Sequence, residues 1–243
     1  MTDICVFCGY EGDEFDPEHW VPKWLSRALI PKHGEMIGHV AEDRSIRMKR
    51  YFDYTVPHVC KTCNSGWMSD IESRASYDGD VLRMVLGVPE PPPSREAQTK
   101  LASWCFLKAI TLELGRPEAH EPTYPRTVYE AFKRDKTPPR KACSIALGLR
   151  TIPARASNPV FLWHKSQGRI FPVGPGGVYR ETGYLTTLLI GHLVIDVAGL
   201  LRPLNAQLDH GEGFVPLWPS LPGKEFPWPP SKRFSGVVNN DLV

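Results

Sequence analysis

Cys60-Lys61-Thr62-Cys63-Asn64-Ser65-Gly66-Trp67 is one half of what decides the fold, and Cys5-Val6-Phe7-Cys8, followed by Glu18-His19-Trp20-Val21-Pro22, is the other. A Cys-x-x-Cys pair puts two thiols on one short turn. Two such pairs supply the four thiolates of a closed tetrahedral zinc site. Their other use, as redox disulfides, requires an oxidising compartment. The N-terminus Met1-Thr2-Asp3-Ile4-Cys5 has neither the basic start nor the apolar run of an export signal. A structural zinc held by Cys5, Cys8, Cys60 and Cys63 is therefore expected, in a reducing, cytoplasmic setting.

Clamping the two pairs together brings Glu18 and His19 toward Asn64. A carboxylate and an amide oxygen are hard ligands suited to a Mg²⁺-type cation. An imidazole beside them suits general base work near neutral pH. The combination points to metal-assisted phosphodiester hydrolysis.

The order Cys-x-x-Cys, then an acidic residue with His and a Pro three further on, then Cys-x-x-Cys-Asn resembles the HNH, or ββα-metal (His-Me finger), endonucleases. The nearest variety is the zinc-stapled phage recombination endonuclease that resolves branched DNA. Glu18-His19-Trp20-Val21-Pro22-Lys23-Trp24-Leu25 and Asn64-Ser65-Gly66-Trp67-Met68 are also similar to segments of uncharacterised bacterial and phage HNH-type proteins. The likeness covers residues 1 to about 75, and more faintly the segment 100–114. It implies that Cys5, Cys8, Cys60 and Cys63 hold zinc, that His19 is the general base, and that Glu18 and Asn64 hold a catalytic Mg or Mn ion. Two positions depart from the family. Its acidic ligand is usually Asp, with Asp16 as the nearby substitute here. Its middle Asn is missing, which leaves Thr55 or His58 to orient His19.

The 243 residues are 42% hydrophobic and 23% charged, which is ordinary for a globular chain, and the 24 prolines call for many turns. The net charge of +2 does not announce nucleic-acid binding. It is unevenly spread: residues 1–88 hold 10 Lys and Arg against 14 Asp and Glu, and the remainder holds 19 against 13. An acidic first segment lacks the cations that phosphate contacts need. The exception is 44–50, where Arg44, Arg47, Lys49 and Arg50 form a basic run. It is a candidate nucleic-acid contact, or else an ordinary solvated strand. No apolar stretch is long enough for a membrane span.

The expected fold class is α+β: an N-terminal zinc-stapled ββα-metal (treble-clef-like) domain, then a C-terminal α+β domain with an antiparallel sheet. Pro89-Glu90-Pro91-Pro92-Pro93-Ser94 marks the boundary, giving domains 1–88 and 95–243. Within the first, 31–58 is a long insertion with candidate strands 35–40 and 45–54, and a helix runs from near Cys63 to Ala75. Arg95–Leu114 is apolar nearly all round and so buried, with Lys108 expected to snorkel to the surface. Thr127–Asp135 is a short helix. The strands are 144–151, 160–165, 184–190 and 192–198. Cys105 and Cys143 are expected as buried small hydrophobes. His164, His192 and His210 are expected to stand alone in structural or surface roles.

The expected function is a DNA endonuclease. A homodimer is one route to cutting both strands. The rival is a catalytically inactive zinc-finger module that binds nucleic acid or protein. Zinc hydrolysis is excluded, because four cysteines leave zinc no open position for water.

Overall fold

The computed structural model describes residues 4–16, 18–29, 37–40, 46–49, 55–56, 58–88, 92–114, 124–152, 162–173, 179–202, 208–220 and 225–235. The first segment opens with a Cys5–Gly9 turn and β1 (Glu18–His19), which pairs antiparallel with β4 (Thr55–Val56). Between them lie α1 (Lys23–Leu29) and a hairpin of β2 (Ile37–Val40) and β3 (Ile46–Lys49), so the insertion does carry a hairpin.

The helix expected from Cys63 onward is interrupted. A short turn, α2 (Lys61–Cys63), leads into a π-helical turn over Asn64–Met68, and α3 (Ser69–Asp78) follows. The break lies at Gly66, whose ψ of −115° is not helical. Without a Cβ, glycine enters such conformations at little steric cost. Gly79, at φ +71°, ends α3 in the left-handed region, and α4 (Asp80–Val85) follows.

α5 (Arg95–Glu113) is N-capped by Ser94, whose Oγ accepts from the Ala97 N–H at 3.2 Å. Every residue from Leu101 to Glu113 is buried. Such a helix needs partners on all sides. It finds α3 and α4 on one side and a sheet on the other. After α6 (Arg126–Asp135), the sheet is built from β5 (Cys143–Thr151), β6 (Leu162–Val173), β7 (Tyr179–Ile190), β8 (Leu193–Leu200), β9 (Phe214–Trp218) and β10 (Phe234–Ser235). Its order is β10-β5-β8-β7-β6, with β9 also on β5, and all pairs except β10–β5 are antiparallel.

β6 and β7 run well beyond the expected 160–165 and 184–190, because their twelve-residue ladder carries Gly168, Pro172 and Gly183 inside it. Residues that punctuate an isolated sequence are tolerated here by the neighbouring strand. Glycine is required at 199, where a Cβ would lie 1.8 Å from the Tyr184 ring.

Alternation sorts the two faces. Ile145, Leu147, Leu149, Ile195 and Val197 join a single buried cluster with Trp104 and Phe106 of α5. That cluster continues to Cys5, Phe7 and Trp20, so it crosses the Pro-rich boundary. Cys105 and Cys143 are buried in it, as are Trp218 and Trp228 of the C-terminal stretch. No helix among the described residues is long and apolar enough to cross a membrane.

Candidate metal centre and neighbouring site

Two backbone turns present the four sulfurs. In the first, the Gly9 N–H donates to Cys5 O at 2.8 Å and the Cys5 N–H to Tyr10 O at 2.9 Å, with Gly9 at φ +71°. In the second, Cys60 is the N-cap of α2 and its carbonyl accepts from the Asn64 N–H at 3.0 Å. Backbone bonds tie the turns together: Val6 N–H to His58 O at 3.2 Å, and Lys61 N–H to Glu14 O at 3.0 Å. The four Sγ atoms lie within 4.8 Å of one another, with Cys8 and Cys60 at 3.6 Å. A Zn–S bond of about 2.3 Å implies tetrahedral S···S edges of about 3.8 Å, so the donor set and spacing fit zinc. All six cysteines are free thiols.

Proton sharing within the cluster is uneven. A hydrogen bond from Cys63 is the main cause that holds the Cys5 thiol down to about 4, and the same contact pushes Cys63 up. Around the sulfurs, Trp67 packs edge-on to Phe7 at 5.2 Å, and Lys136 Nζ sits 4.4 Å above the Trp67 ring.

Asn64 has helical angles (φ −63°, ψ −57°), and the N-cap position belongs to Cys60. Its amide is used elsewhere: Nδ2 donates to Asp16 O at 3.0 Å. Asn64 is thereby fastened to the chain just ahead of Glu18-His19. His19 is half-buried, and Thr55 lies directly opposite it in the β1–β4 pair. Facing cross-strand side chains are neighbours, so Thr55 stands beside His19 on the ladder. His58 is held at φ +65°.

Glu18 and Asn64 bond to different partners. Glu18 is 7% exposed and turns into the interior, where its Oε1 lies 3.3 Å from Lys108 Nζ. Lys108 does not snorkel: it is 0% exposed. From Leu101 to Glu113 every residue of α5 is buried, so Lys108 stands in an enclosed stretch of the helix. The ammonium is compensated inside instead. It pairs with Glu18 and with Glu72 of α3, and donates to His19 O at 3.5 Å. Glu72 Oε2 in turn accepts from Trp104 Nε1 at 3.0 Å and Trp24 Nε1 at 3.4 Å. Trp20 Nε1 donates to Lys108 O at 3.1 Å. Burial opposes the Lys108 charge, but the two carboxylates outweigh it and hold the pKa above the usual lysine value.

Two carboxyl groups share one ammonium here. Burial pushes the Glu18 carboxyl above the ordinary range; Lys108 draws it back and Glu72 raises it. A raised folded pKa means that the folded protein holds this proton more tightly than the unfolded chain. The stability it contributes is present in acid and is lost as pH rises through the folded pKa. Glu18→Gln leaves Lys108 and Glu72 as a one-to-one pair. It is expected to melt above wild type in mildly alkaline buffer, with the gain shrinking on acidification. A melting difference independent of pH would refute this assignment.

Arg44 and Arg50 of the basic run lie outside the described residues. Arg47 and Lys49 stand in β3, opposite His39 and Ile37.

The histidines expected to stand alone do not all do so. His192 Nδ1 lies 3.0 Å from Arg150 O. His210 bridges two strands: Nδ1 is 2.6 Å from Asp196 Oδ2 and Nε2 is 2.8 Å from Ser144 Oγ, while Thr187 Oγ1 donates to Asp196 Oδ1 at 2.6 Å. Ser, His and Asp in this order form catalytic relays in hydrolases. Here Ser144 is the second residue of β5 and 3% exposed. The adjoining cavity of about 340 Å³ is lined by Ala146, Leu208, Asp209, His210 and Phe214, among others, but not by Ser144. The arrangement is a clamp that fastens the segment at 208–214 to the sheet. His210→Ala, which takes the imidazole away from buried Asp196 Oδ2 and Ser144 Oγ, is expected to cost about 1–3 kcal/mol in denaturant unfolding.

The sequence signal for Lys108 was present, as a lone cation in an apolar helix. Its partnership with Glu72 and the assembly of Ser144, Asp196 and His210 had no local signal. Comparison with protein-family models, curated proteins and solved structures returns no match.

Proposed function

We propose that this chain is a metal-dependent HNH-type DNA endonuclease, with its first segment a zinc-stapled, treble-clef-like ββα-metal unit. One observation carries the reading. Between the two Cys-x-x-Cys turns stands a short antiparallel ladder bearing Glu18-His19, and Asn64, directly after the last cysteine, is fastened to the residue two ahead of Glu18.

In this reading Cys5, Cys8, Cys60 and Cys63 hold zinc and fix the turns. His19, half-exposed on β1, takes the proton from the attacking water. Glu18 and Asn64 would hold Mg²⁺ or Mn²⁺. The donors are hard oxygens, the kind such a cation prefers. That ion would supply charge neutralisation at the scissile phosphate and the leaving oxygen. The basic run of Arg44, Arg47, Lys49 and Arg50 would meet the DNA backbone, and a homodimer would serve double-strand cutting. The cytoplasm, where thiols stay reduced, is the matching location.

The tie between Glu18 and Lys108 favours one other reading, a zinc module that binds nucleic acid or protein without cutting it. Plasmid, linear and branched DNA incubated with Mg²⁺ or Mn²⁺ separate the two, after metal analysis has established one zinc per chain. Nicking by zinc-loaded protein that requires added Mg²⁺ or Mn²⁺ supports the nuclease. Zinc-loaded protein that binds DNA yet cuts none of these substrates assigns the binding module.

A further inference from the structure

A fully buried lysine is costly to keep, and this one sits at a crossing. Lys108 Nζ has three protons and three acceptors: the Glu18 carboxylate, the Glu72 carboxylate and the His19 carbonyl. The acceptors come from β1 and α3, and the lysine itself from α5. Glu72 is held in turn by the indoles of Trp24 on α1 and Trp104 on α5. Three elements therefore meet at one ammonium, and α1 joins them through Glu72. β1 is only two residues long and is paired to a two-residue partner. So short a ladder does not hold a strand firmly in place by itself. The Lys108 tie adds a hold on β1 from α5, supported by Trp20, whose indole donates to the Lys108 carbonyl.

We propose that Lys108 is the positioning residue of the His19 site: through Glu18 and the His19 carbonyl it anchors β1 to the long helix of the second segment, with Glu72 as the brace that holds the ammonium in place. The proposal rests on the nuclease reading for its catalytic consequence, but the anchoring itself does not depend on it. It gives the second segment a direct part in the site, since the lysine lies beyond the Pro-rich boundary. Lys108 touches neither solvent nor substrate, so it acts only through the placement of β1.

Lys108→Met alone strands two carboxylates and risks misfolding. Lys108→Met combined with Glu72→Gln removes the tie while leaving the cluster's net charge unchanged, because one cation and one anion go together. The double variant is compared with wild type in three measurements on the full chain. Zinc content and melting establish that it is folded. Steady-state nicking with Mg²⁺ is expected to show kcat lowered about a hundredfold, the scale of a small misplacement of a reacting group, with KM near wild type. The Cε1–Hε1 resonance of His19, assigned by its loss in His19→Ala, is expected to shift or broaden in histidine-labelled protein. A folded, zinc-loaded double variant with the His19 resonance unmoved overturns the proposal, as does wild-type kcat in that variant. If wild type cuts no DNA, the nuclease reading falls, and the His19 resonance alone decides whether Lys108 anchors β1.

Discussion

Cys60→Ser is expected to unfold the first segment and to release the zinc. Structural zinc in small finger units contributes apparent free energies of about 10–16 kcal/mol, comparable to or larger than the whole stability of a typical domain, about 5–15 kcal/mol. Cys60 also stands where several parts meet. Its sulfur lies 3.6 Å from Cys8, its carbonyl starts the turn that carries Asn64, and its backbone forms an isolated antiparallel bridge with Phe15, three residues before Glu18. A serine hydroxyl is a poor substitute for a thiolate on zinc. Metal analysis and thermal melting check the expectation, with Cys143→Ser as the control. Cys143 is buried 4% exposed but lies outside the four-sulfur cluster, so that variant is expected to keep its zinc. A soluble, zinc-free Cys60→Ser protein with the wild-type melting curve would contradict the metal assignment. EDTA treatment of wild type is expected to reproduce the variant's loss of structure.

The second large effect concerns activity. His19→Ala is expected to lower Mg²⁺-dependent nicking by about 10²–10⁴-fold, the usual contribution of a positioned general base. Zinc content should be unchanged, because His19 is not among the four sulfur ligands. Melting should stay close to wild type, because the half-buried ring is not part of the buried core cluster. Undiminished nicking by His19→Ala would remove His19 from the mechanism while leaving the zinc centre intact. Thr55→Ala is the informative companion. Thr55 faces His19 across the ladder, and a smaller loss in kcat there would identify it as the group standing in for the missing middle Asn.

The four-cysteine cluster was legible in the primary structure because two thiols separated by two residues share a turn whatever surrounds them. The helix at 95–113 was legible for a similar reason: an all-apolar surface can only be buried. The sheet's short strands could be read from their alternation. The long β6–β7 pair was less legible, because Gly168, Pro172 and Gly183 look like breaks until a partner strand is seen to hold them in register. The helix after Cys63 misled in the other direction. Its apolar stripe suggested continuity, while Gly66 breaks it.

What the sequence determined by itself is therefore local: the two cysteine turns, the buried helix, the alternating strands, and the presence of Glu18, His19 and Asn64 beside the cysteines. Each follows from spacings of a few residues. Only the tertiary structure decided which charges are buried and with whom. Lys108 meets Glu18 and Glu72 across separations of 90 and 36 residues, and His210 meets Ser144 across 66. Desolvation depends on the atoms that surround a side chain, and distant segments supply those atoms. An isolated lysine on a helix therefore reads as a surface residue until the fold closes around it.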